Sequence, residues 1–474
     1  GGTPDDGSIV RLLAAIRARG LKIFFYPQML MDISGKPWRG FLTGSPGSVA
    51  SFFTKSWGYN QFILHYANLV AGQVDAFAIG TEMRDLTKIT SSAGVYPAVS
   101  QLMSLAASVK GILGGSVKVT YAADWSEYHH TDGGWHHLDP LWASANIDMV
   151  GIDAYFPLHD AVQDGYDIAE LRAGWNSGEG YDWYYTDDTR TTQAPLSPAY
   201  AWKNIAWWWE NAHVNPDSST TAWVPESKPI WFTEYGFASV DGCANQPNVF
   251  VDSSTSSSAY PRFSRGRVDF MAQRVAITAT ETEWAGSDMV VNKFLWTWDA
   301  RPYPYFPDLL SVWADGPNWV TGHWVEGKLG ASHVAGVVEE LMLRAGIPDE
   351  QLDTRAVQAI LDGFVINERV TARAAIDQLM RAYFFTVRES AAALVLLPRD
   401  ATVDVEVDVA VCVPRKMDEQ EVTYVLERKE DLVLPQRLEV QFLNRLQRYE
   451  ANIQSATRAT EDATDTVSRR FSLV

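Results

Sequence analysis

Residues 75–82, DAFAIGTE, decide how this chain is read: a small, apolar run fit for one buried strand stops at Gly80, Thr81 and Glu82. The same grammar recurs at 229–234, PIWFTE, where Glu234 closes a second apolar run. Around these two, apolar runs of four to seven residues alternate with helix-length amphipathic segments, the signature of βα units. Strands are expected at LKIFFYP (21–27), DAFAIG (75–80), VKVTYAA (117–123), IDMVGIDAY (147–155), PIWFTE (229–234) and VVNKFLWTW (290–298). Helices are expected over 8–20, 48–71, 95–113, 199–212 and 262–283, the first capped by Ser8 and stopped by Gly20.

The polar and aromatic residues of these strands gather at their C-terminal ends: Tyr26, Glu82, Asp124, Trp125, Asp153, Tyr155, Glu234, Trp296 and Trp298. In a (β/α)8 TIM barrel that face carries the chemistry. A doubly wound sheet would announce itself by a glycine-rich first turn, and neither GxGxxG nor a P-loop pattern follows any of these strands. The fold class read here is therefore α/β, a TIM barrel, with six of its eight strands in this sequence. The other two are expected upstream of Gly1 or from elsewhere. The opening GGTPDDGSIV, with neither initiator Met nor signal-peptide pattern, likewise reads as a piece of something longer.

Composition narrows the function. Over 474 residues, 46% hydrophobic and 12% aromatic content excludes disorder as the dominant state, and no apolar run is long enough for a membrane helix. A net charge of 39 − 58 = −19 argues against a nucleic-acid grip as the main task. Cys243 and Cys412 make no disulfide framework, and no cysteine–histidine spacing suggests zinc; neither metal nor cofactor is expected. His129-His130 and His136-His137 are consecutive pairs, which rarely face one ion, so they read as loop-packing or cleft residues. All 19 tryptophans lie between Trp38 and Trp324, which sets a domain boundary near 330: an aromatic-rich domain over 1–330 and a different α+β domain over 331–474. In the latter, amphipathic helices are expected at 334–347 and 371–385 (Thr371 the cap), and strands at 402–413 and 437–444. Asp404, Glu406 and Asp408 form a solvated face of the 402–413 strand.

Glu82 and Glu234 are the candidate catalytic pair. Glycosidic cleavage needs two carboxyls flanking the scissile bond, one protonated as acid and one ionised as nucleophile or base. Tips of non-adjacent barrel strands can present such a pair, and Trp and Tyr offer apolar faces for sugar C–H groups. A strand-end Glu also serves as helix cap or salt-bridge partner, and Asp153 either bonds substrate or orders its strand end.

The series IGTE (79–82), VGIDAYFPL (150–158), PIWFTEYGF (229–237) and FLWTWD (294–299) resembles clan A glycoside hydrolases, closest to an endo-β-mannanase-like family. The resemblance implies a retaining mechanism with Glu82 as acid/base, Glu234 as nucleophile, Tyr155 supporting the nucleophile, and Trp296 or Trp298 as the sugar platform, and it numbers the six strands three to eight, with the first two missing. Most of that clan has Asn just before the acid/base; here Thr81 stands there, which puts the usual contact to the sugar 2-hydroxyl in doubt. Tyr26, Asp124, Trp125 and Asp153 complete the expected cleft. GGTPDD, FFYPQMLMDI, GVYPAVSQLMSLAASVK and VWADGPNWVTGHWVEGKLG, together with residues 335–400, further resemble the TIM-barrel-like domain of phage and gene transfer agent tail-tip proteins and the phage-tail domain that follows it. That implies a virion tail-tip (hub) protein, a homotrimer with other tail proteins as partners, which binds and cleaves a host envelope glycan. The alternative is a non-catalytic structural or carbohydrate-binding tip that keeps the barrel as scaffold.

Overall fold

A computed structural model describes residues 4–473 except 163–165, 188, 303–304, 326–330, 355, 358, 391–392, 400–434, 445–446 and 459–464. The chain forms two compact units, Gly1–Leu329 and Gly330–Val474. Among the described residues no helix is long and apolar enough to cross a membrane.

The first unit is built on six parallel strands: β1 (Phe24–Phe25), β2 (Ala76–Thr81), β3 (Lys118–Asp124), β4 (Val150–Asp153), then, after a small antiparallel hairpin of β5 (Trp183–Tyr185) and β6 (Gln193–Pro195), β7 (Ile230–Tyr235) and β8 (Val290–Leu295). Their order in the sheet, β1-β2-β3-β4-β7-β8, is the order of the chain. The sheet curls, because the Phe24 ring on its first strand lies 5.0 Å from Phe294 on its last and 5.9 Å from Trp231. β2 and β4 are buried along their whole length, as strands covered on both faces must be.

Helices cover the outside, and local chemistry sets their ends. The first spans Asp6–Arg17 and starts two residues before the sequence pattern suggests, because Asp5 rather than Ser8 caps it, accepting from the Ser8 amide at 2.7 Å. The single helix expected over 48–71 is two, Pro46–Thr54 and Tyr59–Leu69. The chain turns sharply between them at Gly58, where an added Cβ would sit 2.8 Å from the Lys55 carbonyl oxygen. The helix expected over 199–212 shrinks to Ile205–Glu210, capped by Asn204, and the one over 262–283 to Phe270–Glu283, capped by Asp269. Pro97–Leu113 keeps its expected extent almost unchanged.

The second unit packs helices Val334–Arg344 and Ala372–Ala382 around an apolar cluster that includes Val338, Met342, Ile376, Leu379, Phe385 and Leu396. Thr371 caps the second helix by accepting from Ala374 at 3.2 Å. Strand Arg437–Asn444 pairs antiparallel with Glu450–Thr457 and parallel with Thr466–Arg470. The 402–413 strand with Asp404, Glu406 and Asp408, and Cys412, lie outside the described residues.

Candidate active site

Three carboxyl groups converge at the C-terminal ends of β2, β4 and β7. Glu82 follows β2 directly, Asp153 ends β4, and Glu234 stands one residue before the end of β7. Parallel pairing places Asp153 opposite Glu234, across a register irregularity after Ile152. One oxygen from each of the three carboxyls lies within 4.8 Å of the other two. Glu82 turns the chain out of β2 with a φ of +47°, in the left-handed region, while its amide donates to the Ala122 carbonyl at 2.8 Å.

Each carboxyl has its own partners. Glu234 accepts from the Tyr155 hydroxyl at 2.8 Å on Oε2 and from the Gln28 amide at 3.0 Å on Oε1. Glu82 Oε2 accepts from the Trp38 indole at 2.8 Å and forms an ion pair with Arg39 at 2.9 Å. Asp153, fully buried, accepts from Thr233 on Oδ1 at 2.7 Å and from Thr81 on Oδ2 at 3.2 Å, with the Tyr26 hydroxyl 2.8 Å from both Thr81 Oγ1 and Asp153 Oδ2. Thr81 and Tyr26 thus bind Asp153 and form the floor of the cluster.

Gln28, Trp38 and Arg39 come from the segment after β1, which roofs the site. This roof is tied to the loop before Phe270–Glu283 by Ser256 N–H to the Gly35 carbonyl at 2.7 Å and Thr255 Oγ1 to the Lys36 carbonyl at 2.7 Å. Trp38 itself sits beneath the Arg84 guanidinium at 5.1 Å and edge-on to Phe41 at 5.4 Å. Under this roof Glu82 is 6% and Glu234 5% exposed. Sequence reasoning misses these three residues. The one signal for them is an aromatic–arginine pair in a Gly/Pro-bounded turn, GKPWRG (35–40).

The remaining expected residues take varied places. Asp124, at the end of β3, is buried and accepts from the Ser126 amide at 2.9 Å and from the Ser126 hydroxyl. Trp125 packs edge-on to Phe156 and against the core. Trp296 and Trp298 follow β8, at 37% and 73% exposure. Gly236 lets the exit of β7 pass this close to β8, since a Cβ there would lie 2.1 Å from the Trp296 carbonyl oxygen.

Gathering like charges under a roof perturbs them. Burial first, then the neighbouring Glu82, pushes Glu234 up to about 8 even though Arg39 and the Tyr155 hydroxyl pull it back. Burial, then Glu234 and Glu82, lifts Asp153 well above the usual carboxylate range. Asp124 rises to about 7 from burial and the charge of Glu82. Burial works against the charge of Arg39, but Glu82 and Glu234 outweigh it and raise its pKa. In this closed arrangement burial favours the protonated form of Glu234, and the Arg39 guanidinium lies against Glu82.

Among the described residues, two groups bring three ligand-type atoms within 4.8 Å: Glu82–Asp153–Glu234 and His136–Asp139–His213. The first already holds the Arg39 cation. In the second, the His136 and His213 rings stack with centroids 4.5 Å apart and planes 15° from parallel, so an ion in the plane of one ring lies outside the plane of the other.

The GTA TIM-barrel-like domain family matches residues 57–307, and the family described as "Putative phage tail protein" matches residues 371–474. Among solved structures, the chain is similar to the GH113 β-mannanase AaManA from Alicyclobacillus acidocaldarius in complex with ManMIm, at 18% identity over 69% of this chain and 75% of that one, with a TM-score of 0.41. It is similar to the virion of a native gene transfer agent particle at 26% identity, over 34% of this chain and 36% of that one, with a TM-score of 0.28. A β-glucuronidase from an uncultured Clostridium species is similar at 11% identity, over 60% of this chain and 35% of that one, with a TM-score of 0.32. No curated protein matches the chain. The family match over more than half of the sequence, followed by the tail match, makes this a tail-associated virion protein: the chain belongs to the GTA TIM-barrel-like domain family.

Proposed function

We propose that this chain is a tail-tip (hub) component whose barrel binds and cleaves a glycan of the host cell envelope, with retention of configuration, during adsorption or penetration. The observation that carries the reading is the spacing of Glu82 and Glu234. Carboxyl oxygens within 4.8 Å suit a retaining pair, whose carboxyls stand about 5–5.5 Å apart, and leave no room for the water that an inverting pair holds between them. Glu234 attacks the anomeric carbon while Glu82 gives its proton to the departing glycosidic oxygen. Water then attacks the glycosyl–Glu234 ester, Glu82 takes the water's proton, and Glu234 leaves as carboxylate. Tyr155 holds the nucleophile and Trp298 offers a face at the rim. Other tail proteins, and two further copies of this chain in a threefold hub, are the partners this reading entails.

Catalysis asks Glu234 to be ionised, whereas its burial favours the protonated form, and asks Glu82 to be free of the guanidinium that now holds it. Substrate entry must therefore take Arg39 off Glu82, which shifts the guanidinium's support toward Glu234. A second reading, a binding tip without hydrolysis, draws on a different observation: Trp38 and Arg39 both occupy Oε2 of Glu82. The test is glycan release from envelope fractions of host cells by the parent and by Glu234→Gln. Release by the parent and loss in the variant supports hydrolysis. Equal release by both overturns the mechanism, and retention of glycan without release by either protein favours the binding tip.

A further inference from the structure

Behind the carboxyl cluster lies a second buried acid that the reaction does not use. Glu127, 1% exposed, sits in the turn after β3. Its Oε1 accepts from the Tyr121 hydroxyl at 2.8 Å and from Thr87 Oγ1 at 2.6 Å, and its Oε2 from the Asp124 amide at 3.2 Å. The Tyr121 hydroxyl in turn accepts from the amide of Met83 at 2.8 Å. Met83 directly follows Glu82, whose φ of +47° lies in the left-handed region, a strained conformation for a residue with a Cβ. Two successive amides of this turn are thus held by β3: that of Glu82 by the Ala122 carbonyl at 2.8 Å, that of Met83 by the Tyr121 side chain.

We propose that Tyr121 and Glu127 are positioning residues, which hold the left-handed turn at Glu82 and so keep its carboxyl in reach of Glu234. Neither touches the space between the two carboxyls. Tyr121 supplies the acceptor, and Glu127 fixes the direction in which the Tyr121 hydroxyl points its proton, leaving an oxygen lone pair toward Met83. A buried acid with three inward donors and no surface ion pair is costly to keep for packing alone, where an apolar residue would serve as well. The catalytic part of the inference rests on Glu82 being the acid/base; the structural part does not.

The test pairs crystal structures with rates for Tyr121→Phe. Expected are a Glu82 backbone released from the left-handed region, a carboxyl displaced by more than about 0.5 Å, and a maximal rate of reducing-end release from the envelope fraction reduced about 10- to 100-fold with unchanged half-saturation. Tyr128→Phe is the control. It removes another buried tyrosine hydroxyl, bonded to the Trp202 carbonyl at 2.6 Å, and should lower the melting temperature similarly while leaving the rate alone. A Glu82 that stays in place in Tyr121→Phe overturns the proposal, whatever happens to rate or stability. A displaced Glu82 in a protein whose parent releases no glycan upholds the positioning and overturns the hydrolase reading instead. Should Tyr121→Phe not fold, Glu127→Met, which removes the acceptor of the Tyr121 hydroxyl at similar side-chain length, gives the same two readouts with a smaller displacement and a several-fold lower rate; no displacement there overturns the proposal as well.

Discussion

Two buried clusters in the barrel unit look alike by composition and are built on opposite principles. Around Glu82, Asp153 and Glu234, groups of like charge are pressed together at strand ends, with Arg39 as counter-ion, under a roof of loop residues. Around His136, Asp139 and His213, acid meets imidazole and imidazole meets carbonyl, although Asp139 Oδ1 and the indole N–H groups of Trp208 and Trp223 are buried without a hydrogen-bond partner. His213 lies between the Asp139 carboxylate at 2.8 Å and the Trp208 carbonyl at 2.7 Å, and His136 Nδ1 donates to the His129 carbonyl at 2.9 Å. Aromatic planes close this second cluster: His213 is 7° from parallel to Trp223, and Trp208 stacks on Trp223 at 4.7 Å. The lesson is that density of titratable groups does not mark a reactive site. Like charges pressed together at strand ends do, whereas acid–imidazole pairing inside a stack of rings marks scaffold.

The largest effects should separate the two clusters cleanly. Glu234→Gln should cut glycan release on the order of 10⁴-fold, read as reducing ends over time, because a nucleophile is lost, with little change in unfolding. His213→Ala should do the opposite: leave release by the folded protein unchanged but destabilise the barrel by about 3 kcal/mol in urea, since the buried Asp139 keeps only the Thr221 hydroxyl and the rings lose a stacking partner. Release that survives Glu234→Gln, or a stability that ignores His213→Ala, would dissolve the distinction.

The same contrast appears with pH, and in opposite directions. Burial raises Glu127 and Glu234 from 4.5 to about 8 and Asp124 from 3.8 to about 7. The folded state therefore binds more protons than the unfolded one between about pH 4 and 8, and this cluster's contribution falls as pH rises through that window. Burial lowers His130 to about 4 and His137 to about 3, and carries His129 well below 6.5. Here the unfolded state binds more protons, so stability is lost as pH falls below 6.5. Each proton is worth up to about 1.4 kcal/mol per pH unit. Tryptophan fluorescence reports the barrel unit alone, since all 19 tryptophans lie in it. Urea unfolding followed this way should show Glu127→Gln flattening the limb above pH 6.5 and His130→Gln flattening the limb below it. Swapped or unchanged limbs would contradict the assignment.

Much of the reactive cluster is legible in the sequence because strands end where polarity begins. Glu82, Asp153, Tyr155 and Glu234 each break an apolar run, and parallel in-order strands bring such ends to one rim. Gln28, Trp38 and Arg39 are not legible in this way. They lie on an irregular segment with no periodicity, and Gln28 meets Glu234 across 206 positions of sequence. Thr81 reads as a substrate contact only because of its place before Glu82, but its hydroxyl serves Asp153. The histidine pairs are visible as a motif, yet their partner His213 comes from a separate loop, so the stack that explains Trp208 and Trp223 has no local signature. Helix ends shift where one capping side chain outcompetes another, as Asp5 does Ser8.

The smallest expected effect tests whether the rim of the carboxyl cluster is a place for ligand. Trp298, three residues after β8, is 73% exposed, whereas Trp208 in the histidine stack is fully buried. An exposed indole costs little stability when removed, so Trp298→Ala should unfold at the parent's urea midpoint. If a sugar ring stacks on it, retention of the envelope glycan should weaken about 3- to 10-fold, the worth of one aromatic contact of about 1 kcal/mol. Trp208→Ala should leave a cavity between His213 and Trp223 and cost several times that in stability. Affinity electrophoresis in gels containing the glycan reads the first effect and urea unfolding the second. Unchanged retention by Trp298→Ala would confine ligand contact to the residues beneath the roof, and the cluster would then require the segment around Trp38 and Arg39 to move before any glycan is held.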